Sequence, residues 1–375
     1  MEVVFNKPFI TGRETHHLAQ VAMSGKLSGH GNYTRMCHEF FEKRFGFRKV
    51  FLTTSCTDAL EMSAILCNIQ PGDEVIMPSY TFVSSANAFI LRGANIRFAD
   101  TYADYPNIDP EEVKKLINPK TRAILVVHYG GVACDMDSIM EIAKQHNLLV
   151  VEDAAHSIDS FYKGRPLGSI GHFGTFSFHE TKNIISGEGG MLVVNDERFV
   201  KRAEIIWEKG TDRAAFSRGE VQKYSWKDIG SSFLPSEIIA ATLFAQIEAF
   251  DDIQSARKKL WSLYNEKLRP LAASGKIRIA EIPGYATVNG NMFFIITKDN
   301  KERSALLAFL KNKGINSVFH YLPLHSSDFY HDRHDGRELP NTDRFSDCIL
   351  RLPFFNEMRI DEVDYVVESI ATFYI

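Results

Sequence analysis

Between residues 49 and 195, short runs that are apolar throughout alternate with segments of helical spacing. Val50-Phe51-Leu52 leads into a helix beginning near Ser55, and Glu74-Val75-Ile76-Met77 into one near Thr81. After Ile96-Arg97-Phe98-Ala99, the sequence Asp109-Pro110-Glu111-Glu112 predicts a helix start, with Asp as N-cap, Pro in the first turn and acids facing the dipole. Ala123–Val127, a helix over 135–146 and Leu148–Val151 continue the alternation. Strands apolar on both faces and separated by helices predict an α/β fold with a mostly parallel sheet covered on both sides. Ligands of such sheets bind beyond the carboxyl ends of the strands, where His128, Asp153 and Ser177 fall. A long helical pattern over 235–271 then bridges to a different layout. Runs 276–280 and 292–297 read as strands, 303–313 as a helix ending at Gly314, and 362–373 as a terminal helix. The expected organisation is a large domain over 1–245 and a small α+β domain over 246–375, with 211–227 as an ordered irregular loop.

Composition narrows the function classes. The chain has 375 residues, 45% of them hydrophobic, and a net charge of −4, which gives no global attraction to nucleic acid or to an anionic membrane. Five scattered cysteines without a CxxC pair argue for reduced thiols, against both a disulfide framework and a zinc site. No apolar run approaches the roughly 20 residues that span a bilayer, and the first residues lack a signal-peptide layout. These features predict a cytoplasmic protein that binds neither nucleic acid nor membrane.

The candidate chemistry lies at the predicted strand ends. Val150-Val151-Glu152-Asp153 ends an apolar run in a carboxylate, which is costly to bury without a partner. Ser177 and Lys182 follow another apolar run, just before Gly187-Glu188-Gly189-Gly190. A strand-end acid, a hydroxyl and a loop lysine together suit pyridoxal 5′-phosphate: Asp153 for the pyridine nitrogen, Ser177 for phosphate, Lys182 for the Schiff base. Singly, each has a plainer explanation as helix cap, loop hydroxyl or solvated amine; only the joint pattern is specific. Ser55, Cys56 and Thr57, between a strand and a helix, offer N–H groups and a dipole to phosphate, although plain N-capping by Ser55 or Thr57 fits equally. Phe82 could stack on the pyridine ring or pack in the core. His320, Tyr321 and His325 place polar rings in an apolar setting suited to a polar ligand, and the loop around Gly29 suits close approach to one. The histidines match no zinc spacing and the Gly29–Gly31 region is no dinucleotide fingerprint, so neither metal nor nicotinamide cofactor is expected.

The runs Ser55–Leu60, Glu152–His156, Ser177–Lys182, Gly187–Gly190 and His320–His325 occur in the order seen in PLP-dependent sugar-nucleotide aminotransferases of the DegT/DnrJ type, which this sequence resembles from about residue 5 to its end. Lys26–Gly29, Ser79–Val83, His128–Val132, His179–Asn183 and Asp228–Ser232 are most similar to the branch acting on dTDP-4-keto-6-deoxyglucose in surface-polysaccharide (O-antigen or common antigen) synthesis. The resemblance implies an aspartate-aminotransferase-like (PLP fold type I) architecture and a homodimer with active sites at the subunit interface. It also implies L-glutamate as amino donor, a nucleotide-linked keto sugar as acceptor, and Lys182 and Asp153 as catalytic residues. Cofactor contacts then come from Ser55, Cys56, Thr57, Phe82, His156 and Ser177, with His156 standing where many members have Gln. Substrate contacts come from His320, Tyr321, His325, Gly29 and Glu188. The run Gly230-Ser231-Ser232-Phe233-Leu234 lacks the Asn that many members extend to the partner's phosphate. A dehydrating branch has His at the Schiff-base position; Lys182 points instead to transamination. The alternatives are amination at C3 of a 3-keto sugar and a non-catalytic binding protein on the same scaffold.

Overall fold

A computed structural model describes residues 1–375. Seven strands form its central sheet: β1 Lys49–Thr53, β2 Glu74–Pro78, β3 Asn95–Ala99, β4 Thr121–Val127, β5 Leu149–Asp153, β8 Phe173–Ser177 and β9 Gly190–Val194. A small hairpin, β6 Phe161–Tyr162 with β7 Arg165–Pro166, lies outside it. The strand order is β1-β9-β8-β5-β4-β2-β3, and β9 alone runs antiparallel to its neighbours. Along β4, Ala123, Leu125 and Val127 face one core while Ile124 and Val126 face another, so both sides of the sheet are covered.

The helices are α1 Glu14–Ser24, α2 Asn32–Phe45, α3 Cys56–Leu66, α4 Val83–Ile90, α5 Pro110–Leu116, α6 Met136–His146, α7 Glu197–Trp207, α8 Arg213–Ser217, α9 Glu237–Glu248, α10 Phe250–Ala273, α11 Asn300–Asn312, α12 Pro340–Cys348 and α13 Ile360–Phe373. None is long and apolar enough to cross a membrane. The expected caps form: Asp109 accepts from the Glu111 N–H with Pro110 in the first turn, and Ser55 accepts from the Asp58 N–H. Helix α2 has no cap of its own. Buried Glu237, from the first turn of α9, accepts from the N–H groups of Gly31 (2.9 Å), Tyr33 (2.7 Å) and Thr34 (3.1 Å) and from the Thr34 hydroxyl. His38 of α2 then accepts from the Leu52 N–H of β1 at 2.9 Å, tying that cap to the strand that leads into the Ser55 turn.

The carboxyl-terminal part differs in detail from expectation. The long bridge is two helices, broken at Ala249, where φ is −106° and ψ 15°. The strand expected over 276–280 reduces to one bridge, Arg278 to Ile296, because Ile277 turns into a separate core instead of extending a ladder. That core surrounds the antiparallel pair β10 Phe294–Ile296 and β11 Ile349–Arg351 and recruits Val3 from the amino-terminal segment. Residues 211–227 form an ordered excursion holding α8, closed by a bridge between Thr211 and Trp226.

Candidate active site

Register brings the strand ends together. Asp153 pairs with Val127 on one side and Thr175 on the other, and Gly190 lies between Thr53 and Ser177. Only a glycine fits at position 190: a Cβ there would come 2.3 Å from the Ser55 carbonyl carbon and 2.4 Å from the Cys56 nitrogen. The Ser55–Thr57 turn is thus pressed onto the sheet edge, where α3 opens its N-terminus. Helix geometry leaves the N–H groups of Cys56 and Thr57 without partners inside the helix, and Thr57 Oγ1 reaches Ser84 at 2.8 Å.

This turn borders a cavity of about 590 Å³. Of the residues singled out from sequence, it gathers Ser55, Cys56, Thr57, Phe82, Asp153, His156, Ser177, Lys182, Glu188, His320 and Tyr321. Two stand elsewhere. His325 is hydrogen-bonded through Nδ1 to the Ser79 hydroxyl at 2.9 Å and is absent from the cavity wall. Gly29 borders a second polar cavity with Lys26, His30, Lys209, Arg213 and Ser232. The wall also includes Ser85, His179, Asn291 and Arg351, which periodicity and motif spacing did not single out.

The electrostatics are specific. Asp153 is buried, and one oxygen accepts from Ser85 Oγ at 2.7 Å while the other accepts from the Ala155 N–H at 3.2 Å. Burial raises its proton affinity above the ordinary carboxylate value, and these donors with the Lys182 charge pull it part of the way back. Lys182, half-buried, is pulled down to about 8, chiefly by burial, against the opposing pull of Cys56 and Asp153. His156 is held well below the usual imidazole value by burial and by the Lys182 and Arg351 charges. Its Nδ1 accepts from the Gly130 N–H at 3.3 Å, which assigns the proton of the neutral ring to Nε2 and makes that atom a donor. His320 is likewise kept neutral, mainly by burial, with Nδ1 2.7 Å from the Tyr129 hydroxyl. Tyr321 stacks on it at 3.6 Å with φ at +47°, a conformation that a bulky side chain adopts only under tertiary constraint.

The donor set fits pyridoxal phosphate. A glycine-dependent turn presents unpartnered N–H groups and hydroxyls to an anion, a buried carboxylate with raised proton affinity awaits a cationic ring N–H, and an amine of lowered pKa shares the cavity.

The profile of the DegT/DnrJ/EryC1/StrS aminotransferase family matches residues 8–371. The spore coat polysaccharide biosynthesis protein SpsC of Bacillus subtilis is 31% identical over 98% of this chain and 95% of its own length. The aminotransferase TlmJ of Streptoalloteichus hindustanus has a similar structure, with a TM-score of 0.90, 26% identity and coverage of 99% and 98%. Spr1654 of Streptococcus pneumoniae, solved in its PMP form, gives a TM-score of 0.91 at 25% identity, with the same coverage. The fold is aspartate-aminotransferase-like.

Proposed function

Because the chain belongs to the DegT/DnrJ/EryC1/StrS aminotransferase family, whose members are PLP-dependent sugar aminotransferases, we propose that it transfers the amino group of L-glutamate to C4 of dTDP-4-keto-6-deoxyglucose. The observation that carries this reading is the meeting of Lys182, Asp153 and the Ser55–Thr57 turn in one cavity. The choice of a 4-keto sugar is supported by the sequence motifs shared with that branch, and a role in polysaccharide synthesis by the likeness to SpsC.

Pyridoxal phosphate, when bound, supplies an aldehyde for the amino group and an electron sink for the C–H bond that must break. The protein's part follows from its own residues. Ser55, Cys56, Thr57 and Ser177 would hold the phosphate, Asp153 would pair with the ring N–H, His156 Nε2 would donate to the phenolic oxygen, and Phe82 would cover a ring face. Lys182 would hold the cofactor's aldehyde carbon and, as a free amine, would take the proton from the donor's α-carbon. In the second half-reaction it delivers a proton to the sugar carbon. A pKa of about 8 lets one amine both accept and return that proton near neutrality. His320, Tyr321 and Glu188 bound the space left for the hexose.

A homodimer is supported by apolar surface beside the cavity and on the excursion: Phe82 is 56% exposed and Trp226 83%. The cofactor-loaded protein is to be mixed with L-glutamate alone and its absorbance followed. Loss of the cofactor's long-wavelength band in the wild type and its persistence in Lys182→Ala is the expected result. Equal bleaching and turnover in both would overturn the assignment.

A further inference from the structure

Arg351 ends β11, held between Phe294 of β10 and Val318 by backbone pairing, and projects into the wall of the same cavity. Its Nε is sealed from solvent and has no hydrogen-bond partner. The Phe5 ring lies 5.0 Å from its guanidinium carbon. The charged neighbourhood of Arg351 is also unusual. The groups that act on it are the hydroxyls of Tyr129, Tyr321 and Tyr80, with no carboxylate among them. Asp153 is bound instead by Ser85 and Ala155. The positive charge of Arg351 acts on Lys182, His156 and His320, which places it in the field of the reacting amine. Arg351 is half-buried, and a guanidinium with a sealed, unpartnered N–H and no anion beside it is costly, since such groups are ordinarily paired.

We propose that Arg351 binds the α-carboxylate of the amino donor, and so selects an α-amino acid over a simple amine; this rests on the transamination reading above. The donor's amine must displace Lys182 at Nζ, and its carboxylate is attached to the carbon bearing that amine. A cation in the wall of the cavity that holds Lys182 is therefore placed for the carboxylate by connectivity. The diphosphate of a nucleotide hexose is separated from a C4 carbonyl by the width of the sugar ring, so it falls farther away. The planar fork of Arg matches a carboxylate with two parallel hydrogen bonds, which Lys cannot reproduce.

The test compares L-glutamate with 4-aminobutyrate, the same chain without the α-carboxylate, as donors to the cofactor-loaded wild type, Arg351→Gln and Arg351→Lys. Loss of a charge-assisted pair predicts that Arg351→Gln lowers the single-turnover efficiency for L-glutamate by about 10- to 100-fold and changes that for 4-aminobutyrate by less than about threefold. The KM for the keto-sugar nucleotide should stay within the same narrow margin, and Arg351→Lys should fall between. Calorimetric binding of 2-oxoglutarate should weaken in parallel, and melting temperature should hold or rise, because the variant removes a charged group whose sealed Nε has no partner. An unchanged ratio between the two donors overturns the proposal at any activity level. So does a loss confined to the sugar nucleotide, which would mark Arg351 as a phosphate ligand. Failure of the wild type to bleach with L-glutamate would defeat the transamination reading instead, and is distinguishable from both.

Discussion

Gly190→Ala isolates the phosphate turn from the reacting groups. A Cβ at this position would sit 2.3 Å from Ser55 C and 2.4 Å from Cys56 N, and both are backbone atoms that no rotamer change can move. Restoring ordinary contact requires the turn to retreat by roughly 1 Å. Thr53 and Ser177, paired with Gly190 from either side, hold β9 in place, so the displacement falls on the turn. Overpacking of this kind costs about 1–3 kcal/mol, and if it is borne by the bound state, cofactor affinity falls by about 5- to 150-fold. The assay is titration of cofactor-free protein with pyridoxal phosphate, followed by absorbance, with melting temperature as a parallel measure. Gly284→Ala is the control, since nothing lies within 4 Å of its added Cβ. Wild-type affinity in Gly190→Ala, with a lowered melting temperature, would show that the turn does not hold the phosphate.

Four other outcomes are expected. The glutamate half-reaction should accelerate as pH rises from about 6, because Lys182 must be unprotonated to accept a proton; a rate flat from pH 6 to about 9 contradicts this. In cofactor-free protein the folded pKa of Lys182, about 8, lies below the unfolded value of about 10.4. The unfolded chain then holds the extra proton, so this group adds stability as pH rises across that window, and Lys182→Met should lose that limb in pH-resolved urea melts. Asp153→Asn should slow single turnover by about 100-fold or more while leaving cofactor-free melting unchanged or raised, since the ionised carboxylate is disfavoured by burial; lowered melting with intact turnover refutes its role. Glu237→Ala strands three N–H groups at the start of α2 and should cost about 3–5 kcal/mol in urea unfolding; a loss below about 1 kcal/mol would mean that water replaces the carboxylate.

Much of the site was legible because the sheet is simple. Continuous apolar runs are buried on both faces, so their ends are sharp and Asp153 and Ser177 could be placed to the residue. Ser55, Asp109 and Asp135 announce helix starts through side chains that accept from the first-turn N–H groups. The carboxyl-terminal part was less legible because its pairings are single bridges and three-residue strands. Arg351 escaped notice for a related reason: in Leu350-Arg351-Leu352 it reads as the outward residue of an edge strand. Only the fold turns that face toward Lys182. Glu237 similarly looks like an ordinary first-turn acid of α9, and its capping of α2 depends on a contact across 206 residues.

The measurement that bears most directly on the central claim is the structure of the product formed from L-glutamate and dTDP-4-keto-6-deoxyglucose, determined by NMR. The account predicts an amine on C4 of a 4,6-dideoxyhexose, formed stoichiometrically with 2-oxoglutarate and abolished in Lys182→Ala. Unchanged keto sugar, or a deoxygenated sugar without nitrogen, would contradict it.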